Sequence, residues 1–153
     1  MSGAVDQLLL YWEDVSVGDE VPAIVVAITR YKTALIPATT LDGFPGHYSS
    51  GFARSRGLQT VFMNTMPLLG LFNRHGTDWA GPGAFIARQH IHMIRPVYAG
   101  DVVTVSGKVA ALRERETPSG LRQALADVDA EIRGQGGDLL VKGGVSLVLR
   151  KRH

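Results

Sequence analysis

The stretch Thr40-Leu41-Asp42-Gly43-Phe44-Pro45-Gly46-His47 places a carboxylate and an imidazole five positions apart in a loop rich in glycine and proline. Gly43, Pro45 and Gly46 prevent a regular helix between the two side chains, so the loop can turn both toward one point. A carboxylate and an imidazole aimed at one spot can activate a water molecule and move a proton. The pattern also has an ordinary interpretation, because Asp before Gly is a common turn residue and a loop histidine is often simply solvated.

The residues around this loop resemble the signature of the MaoC-like, (R)-specific enoyl-CoA hydratases. That signature has the order Asp-x-Asn-Pro-x-His, with Phe-Ala soon after it. Its positions are filled here, apart from the Asn, by Asp42, Pro45, His47, Phe52 and Ala53. Segments 11–20 and 95–107 are also similar to the family, so the resemblance covers residues 11–110.

Two further segments resemble a narrower group. Residues 62–65 and 77–82 are similar to the small MaoC-like subunit of the actinobacterial heteromeric hydratases that act on sterol side-chain enoyl-CoAs. The resemblance implies an α+β hot-dog fold, in which an antiparallel sheet of about five strands wraps round one long central helix. It also implies hydration of a trans-2-enoyl-CoA with a bulky acyl group. The enzyme would be a homodimer or a heteromer with a second MaoC-like chain.

The composition is that of one ordinary domain, and we treat residues 1–153 as a single unit. Hydrophobic residues make up 45% of the chain, which suffices for one core, and a net charge of +2 does not indicate a nucleic-acid binder. The chain has no cysteine, which excludes disulfides and thiolate chemistry. The start lacks a signal-peptide pattern and the apolar runs are too short to span a bilayer. We therefore expect a cytoplasmic protein whose partners include neither nucleic acid nor membrane.

Periodicity predicts one main helix in an α+β protein. Dense apolar residues predict this helix over 59–74, wrapped on most sides, with a shorter helix at 31–40 and a helical turn at 52–56. Gly76 and segment 81–83 are expected to end the helical region. Strands are predicted at 21–29, 84–94, 101–112, 121–133 and 139–150, where β-branched residues are frequent or apolar and polar residues alternate.

Hydration of an enoyl thioester needs a base for water, an acid for C2 and a donor for the thioester oxygen. The resemblance gives the first two tasks to Asp42 and His47, which would share one water molecule that the carboxylate deprotonates. For this shuttle to work, burial must raise the pKa of Asp42, because a free Asp titrates at about 3.9. The resemblance places the oxyanion contact at the backbone N–H of Thr65, with Asn64 either binding the substrate or holding the loop. Ordinary helix packing is the alternative for both.

Trp79, with Gly81 close behind it, is a candidate to line the path of the acyl chain or the pantetheine arm. A tryptophan that caps the core is at least as good an interpretation. His90 and His92 share one strand face, but no third ligand is evident, so no metal is predicted. No cofactor is predicted, since coenzyme A enters as part of the substrate.

Four positions depart from the family pattern. Phe44 stands where the family carries Asn, Ser49 stands where an acidic residue is common, and Asn64-Thr65 replaces a His-Gly pair. A threonine retains the backbone N–H of the oxyanion contact but narrows the approach to it. The changes fit either a more apolar pocket for a bulkier acyl group or a weakened site.

Two other functions compete with hydration. A hot-dog thioesterase generally needs an acidic residue on or near the central helix, and no Asp or Glu occurs between Gly43 and Thr77. A non-catalytic or half-site subunit of a heteromeric hydratase is the second alternative. The retention of both Asp42 and His47 argues against it.

Overall fold

The structure, a computed structural model, describes residues 9–152. Its framework is a five-stranded antiparallel sheet in the order β1-β3-β4-β5-β2, which leaves β1 and β2 as the edges. The strands are β1 (Glu20–Ala27), β2 (Phe85–Met93), β3 (Val102–Glu116), β4 (Arg122–Arg133) and β5 (Leu139–Leu149). The helices are α1 (Arg30–Thr39), α2 (Ser50–Ser55) and α3 (Thr65–Ala80). The α+β class is confirmed, and all five predicted strands are present.

The main helix lies further along the chain than the sequence predicted. The prediction of 59–74 is wrong at both ends, because α3 begins at Thr65 and runs to Ala80. Residues before Thr65 are drawn into extended pairing: the Met63 N–H donates to the carbonyl of Val97 at 2.8 Å. Apolar density alone does not separate this buried extended segment from a buried helix.

Helix α3 packs across one face of the sheet with two fully buried side chains, Leu68 and Phe72, on its inner side. Glycine allows this close approach from both partners. A Cβ at Gly143 of β5 would lie 2.5 Å from the Phe72 ring, and a Cβ at Gly76 of α3 would lie 2.8 Å from Val145. Gly76 therefore lies inside the helix as a packing residue, which corrects the expectation that it ends the helical region. Gly81 ends it, at a φ of 78°.

The central strands alternate as the sequence predicts. Val105 of β3 pairs with Ile132 of β4, and both are fully buried in the core against α3. Their neighbours Ser106 and Glu131 pair on the opposite face of the sheet. One face is thus apolar and helix-covered, and the other is polar. Among the described residues, no helix is both long and apolar enough to cross a bilayer.

Candidate active site

Asp42 is positioned by the end of α1. Thr40 caps this helix, and the Asp42 N–H donates to the carbonyl of Pro37 at 2.9 Å. This bond is the six-residue closure of a Schellman motif, which requires a left-handed residue between the cap and Asp42. Leu41 supplies it with a φ of 56°, a conformation that glycine usually adopts, and its side chain is 92% exposed. The helix end therefore presents Asp42 directly, at the cost of local strain.

His47 lies on a short 3-10 turn, Pro45–His47, and is 5% exposed. Its Nδ1 lies 2.8 Å from the carbonyl oxygen of Phe62. A carbonyl only accepts hydrogen bonds, so Nδ1 carries a hydrogen. Nε2 is then the nitrogen left to exchange protons, and it lies 3.2 Å from Oδ2 of Asp42. The structure thus brings the two predicted side chains together.

Aromatic rings surround the imidazole. The Phe62 ring lies 4.8 Å from the His47 ring, centroid to centroid, and the Phe44 ring lies 5.5 Å from it, both edge-on. Phe44 also packs against Phe52 at 5.5 Å. Phe44, which departs from the family pattern, therefore contributes to an apolar wall on this side of the imidazole.

The pKa of the Asp42 carboxyl is lowered below its usual 3.8. The largest cause is the backbone N–H of Phe44, which donates to Oδ1 at 3.2 Å, and the side chain of Asn64 donates to Oδ2 at 3.2 Å. The expectation that burial raises this pKa is wrong, because the Asp42 side chain is 37% exposed and its hydrogen bonds favour the charged form. Asp42 is therefore an ionised carboxylate at neutral pH.

A cavity of about 360 Å³ opens beside the two side chains. Asn64 and Thr65, at the start of α3, line it together with Asp42 and His47. The Thr65 hydroxyl donates to Sδ of Met93 at 3.5 Å, so the Thr65 side chain leans toward the end of β2. Asn64 and Thr65 thus lie beside Asp42 and His47 at the start of α3.

Trp79 and Gly81 do not lie at this cavity. They are at the opposite end of α3, and fourteen helical steps from Thr65 to Trp79 span roughly 21 Å. Trp79 is partly buried and packs against the hydrophobic core. The assignment of Trp79 and Gly81 to the site is corrected accordingly: Trp79 caps the core and Gly81 ends the helix.

His90 and His92 lie elsewhere, on the polar face of the sheet. They line a groove of about 1170 Å³ that crosses all five strands and does not include Asp42 or His47. Within residues 9–152, no three His, Asp or Glu side chains gather as a metal site would require. This larger groove carries no acid–base pair with the geometry of Asp42 and His47.

Two features of the site were not predicted from the sequence. The Phe62 carbonyl that orients His47 is a backbone group fifteen residues away, and nothing in a side-chain pattern identifies it. Ser49 accepts a hydrogen bond from the Phe52 N–H at 3.3 Å and caps α2. Ser-x-x before a helical turn is a recognisable capping signal, so this role was available in the sequence.

Part of the sequence and the fold of this chain are similar to those of known proteins. No family model matches the sequence. The 3-oxo-4,17-pregnadiene-20-carboxyl-CoA hydratase beta subunit of Mycobacterium tuberculosis is 38% identical over 68 residues, which are 44% of this chain and 53% of that subunit. The match thus spans about half the length of that relative. Among solved structures, the ChsH1-ChsH2 complex of Mycobacterium tuberculosis superposes with a TM-score of 0.77 at 29% identity, over 89% of this chain and 99% of that one.

An (R)-hydratase from A. caviae involved in PHA biosynthesis superposes equally well, with a TM-score of 0.77, 27% identity, and coverage of 90% and 98% of the two chains. The chain is thus similar in fold, and in part of its sequence, to these two structures and to the hydratase subunit. The predicted hot-dog fold is confirmed by these structures and by the sheet that covers α3. The MaoC-like dehydratase of Rhodospirillum rubrum, at 18% identity and a TM-score of 0.78, agrees in fold.

Proposed function

We propose that this MaoC-like chain hydrates trans-2-enoyl-CoA thioesters, with Asp42 and His47 as the catalytic pair. One observation carries the proposal: Nε2 of His47 faces an ionised carboxylate at 3.2 Å beside an open cavity, while its Nδ1 is held by a carbonyl. With the hydrogen on Nδ1, Nε2 of His47 and Oδ2 of Asp42 both present lone pairs to the cavity, so one water molecule that donates a hydrogen bond to each would be held where it can meet the alkene and give its proton to Nε2.

The lowered pKa of Asp42 changes which group takes the proton of water. An ionised carboxylate of low pKa is a weak base, whereas a neutral imidazole is a stronger one. His47 Nε2 removes a proton from water as the oxygen bonds to C3. The electron pair of the double bond moves to C2 and onto the thioester oxygen. The imidazolium, stabilised by Asp42, then returns the proton to C2. The hydroxyl group is now on C3 and the hydrogen on C2, and His47 and Asp42 are back in their starting protonation states.

The thioester oxygen needs hydrogen-bond donors while it carries negative charge. The first backbone N–H groups of an α-helix have no carbonyl partner within the helix and carry its positive dipole end. In α3 these groups are the N–H of Thr65 and of Met66, because Pro67 has none. Both residues line the cavity. We assign the oxyanion contact to this turn.

We further propose that the acyl group is bulky and apolar. Phe44, Met66 and Met93 line the cavity, and all three are large apolar side chains left more than one-third exposed. Large apolar side chains that are exposed together at the mouth of a cavity are typical of a surface that a ligand or a partner covers. The Mycobacterium tuberculosis relative is named for a steroid-derived CoA thioester, and a substrate of that class fits this rim.

A second MaoC-like chain is the partner that we propose. Strand β2 has a sheet neighbour on one side only, so its other edge presents unpaired backbone groups over nine residues. Met93, the last residue of β2, lines the cavity. A chain that pairs along this edge therefore lies beside the acyl path. The similar structure from Mycobacterium tuberculosis is itself a complex of two differently named chains.

The test is to incubate the purified chain with enoyl-CoAs of increasing acyl bulk, alone and with any MaoC-like chain that co-purifies. Absorbance of the conjugated double bond reports hydration, and a thiol reagent reports free coenzyme A. We expect loss of conjugation without thiol release, at a rate that rises with bulk in the presence of a partner. Thiol release without loss of conjugation would support a thioesterase and contradict the proposal. Absence of both reactions with and without a partner would support a non-catalytic subunit.

A further inference from the structure

Asn64 occupies the N-cap position of α3 without capping the helix. Its side chain makes no hydrogen bond to the first-turn N–H groups, although Asn is among the best N-cap residues. The amide nitrogen instead donates to Oδ2 of Asp42 at 3.2 Å and to Oγ1 of Thr40 at 3.3 Å. The residue is 4% exposed, and within residues 9–152 its Oδ1 has no hydrogen-bond partner. A capping side chain has thus been turned toward the candidate catalytic carboxylate.

Pro67 removes one of the two backbone donors that an N-cap side chain can use; the other is the N–H of Met66. An N-cap oxygen normally accepts a hydrogen bond from the N–H of the second or third helical residue. Counting from Thr65, the third helical residue is Pro67, which has no N–H. The usual third-position donor is therefore absent, and Oδ1 of Asn64 is left buried without a partner. Such an orphaned acceptor is costly, so a compensating interaction on the amide nitrogen is expected.

The amide can serve Asp42 in one orientation only. Rotation by 180° would place Oδ1 of Asn64 against Oδ2 of Asp42, and two acceptors would repel. With the nitrogen toward Asp42, the carboxylate receives a donor on Oδ2 that holds it against rotation beside His47. The amide that the family signature carries at position 44 is replaced by Phe44 in this chain. An amide from a different element therefore contacts the carboxylate here.

We propose that Asn64 is a positioning residue for Asp42, and that Pro67 favours this task by removing the third-position donor that would compete for the Asn64 side chain. Asn64 acts through the carboxylate and need not touch the substrate. The proposal deepens the proposed hydratase function and rests on it for the kinetic readout alone. The contact between Asn64 and Asp42 is tested separately, in the chain without substrate.

Three variants test the proposal. Asn64→Leu removes the donor at nearly constant volume. Pro67→Ala restores an N–H at the third helical position, which gives Oδ1 of Asn64 a partner and draws the amide away from Asp42. The double variant Asn64→Leu/Pro67→Ala completes a cycle that isolates the coupling between the two positions.

Two measurements distinguish positioning from simple packing. The pKa of the Asp42 carboxyl is followed by ¹³C NMR in the chain without substrate, and kcat and KM are measured with an enoyl-CoA. Asn64→Leu is expected to raise the Asp42 pKa and to lower kcat on the order of 10- to 100-fold with little change in KM. Pro67→Ala is expected to raise the Asp42 pKa and to lower kcat by smaller amounts than Asn64→Leu does, while Tm rises. In the Asn64→Leu background, Pro67→Ala should then have no further effect on either quantity.

An unchanged Asp42 pKa in both single variants would overturn the proposal. A raised pKa in Asn64→Leu but not in Pro67→Ala would overturn the part that concerns Pro67. If Asn64→Leu fails to fold, Pro67→Ala still decides the question, since it favours the helix. If the unaltered chain shows no hydration at all, the proposed function fails, whereas the NMR result still tests the Asn64 contact.

Discussion

Oδ2 of Asp42 lies 3.2 Å from Nε2 of His47, and the opposite nitrogen of the same imidazole lies 2.8 Å from the carbonyl oxygen of Phe62. The contact with the Phe62 carbonyl determines which nitrogen of His47 can exchange a proton beside Asp42. Because the carbonyl fixes the hydrogen on Nδ1, proton exchange at His47 is confined to the nitrogen that faces the carboxylate. The geometry of a distant backbone group therefore sets the chemistry of the pair.

The tautomer of His47 is the first prediction. We expect ¹⁵N spectra of the unliganded chain at pH 8 to show the hydrogen of the neutral His47 ring on Nδ1, because the Phe62 carbonyl accepts it. Most solvated histidines carry it on Nε2, and exposed His92 serves as the internal control. A spectrum with the hydrogen of His47 on Nε2 would contradict the assignment of Nε2 as the base.

Acid stability tests the ionised state of Asp42. The pKa of this carboxyl is lowered in the folded chain, mainly by the Phe44 N–H and then by Asn64, so the unfolded state binds more protons near pH 4. The ionised carboxylate therefore stabilises the fold above its usual pKa of 3.8, and this contribution is lost as the pH falls below that value. Urea unfolding between pH 5 and pH 3 should show a smaller loss of stability in Asp42→Asn than in the unaltered chain. Equal slopes would argue that the loop does not hold the charged form.

His75 produces a second pH dependence, at a higher pH. It is 1% exposed on α3, and its Nε2 has no hydrogen-bond partner in the part of the chain that the structure describes. Burial is the main cause that lowers its pKa below 6.5, against the opposing effects of the Val21 and Pro22 carbonyls and of Asp78. The unfolded state therefore binds the proton first as the pH falls, and stability decreases below about pH 6.5.

The variant that tests this second dependence is His75→Leu. For each pKa unit by which burial lowers the His75 pKa, the free energy of unfolding falls by about 1.4 kcal/mol once the histidine is protonated in the unfolded state. Unfolding of His75→Leu between pH 7 and pH 5 should be nearly independent of pH, whereas the exposed control His92→Leu should keep the slope of the unaltered chain. A slope that survives in His75→Leu would assign it to another group.

The left-handed conformation of Leu41 is expected to lower the free energy of unfolding of the chain. A left-handed conformation costs a non-glycine residue roughly 1–2 kcal/mol, and the exposed Leu41 side chain gains little packing in return. Leu41→Gly should relieve most of this strain, net of the greater freedom of glycine when unfolded, and raise Tm by a few degrees. Leu41→Val should lower Tm, because a β-branched side chain tolerates this conformation least. A lower Tm in Leu41→Gly would show that the turn is not strained.

The sequence predicted the dyad and the fold class because both depend on local order. Asp42 and His47 are separated by turn-forming residues, and strands β3 and β4 alternate with a clear period of two. The start of α3 was not predictable in the same way. Residues 61–63 are all apolar, as in a buried helix, and they are extended because they pair with segment 97–99, far along the chain.

The state of Asp42 illustrates a second limit. The sequence interpretation required burial to raise the pKa of this carboxyl, whereas the direction of its pKa depends chiefly on two donors, one of them an amide twenty-two residues away. Trp79 illustrates a third limit, since it lies fourteen residues beyond Thr65 on α3 and does not line the cavity at the start of that helix. Residues distant along the chain decide electrostatics, and helix length decides which side chains share a cavity.

The most direct test of the account is the rate at which an enoyl-CoA loses its conjugated double bond in the presence of the chain and its dyad variants, with any co-purifying partner included. His47→Asn keeps a donor for the Phe62 carbonyl but has no basic nitrogen, and Asp42→Asn keeps the shape of the carboxylate without its charge. Each should fold and lose about 10²- to 10⁴-fold in kcat. The matched controls His92→Asn and Asp129→Asn, on the polar face of the sheet, should retain the full rate. Hydration at an undiminished rate in both dyad variants would contradict the catalytic role of Asp42 and His47.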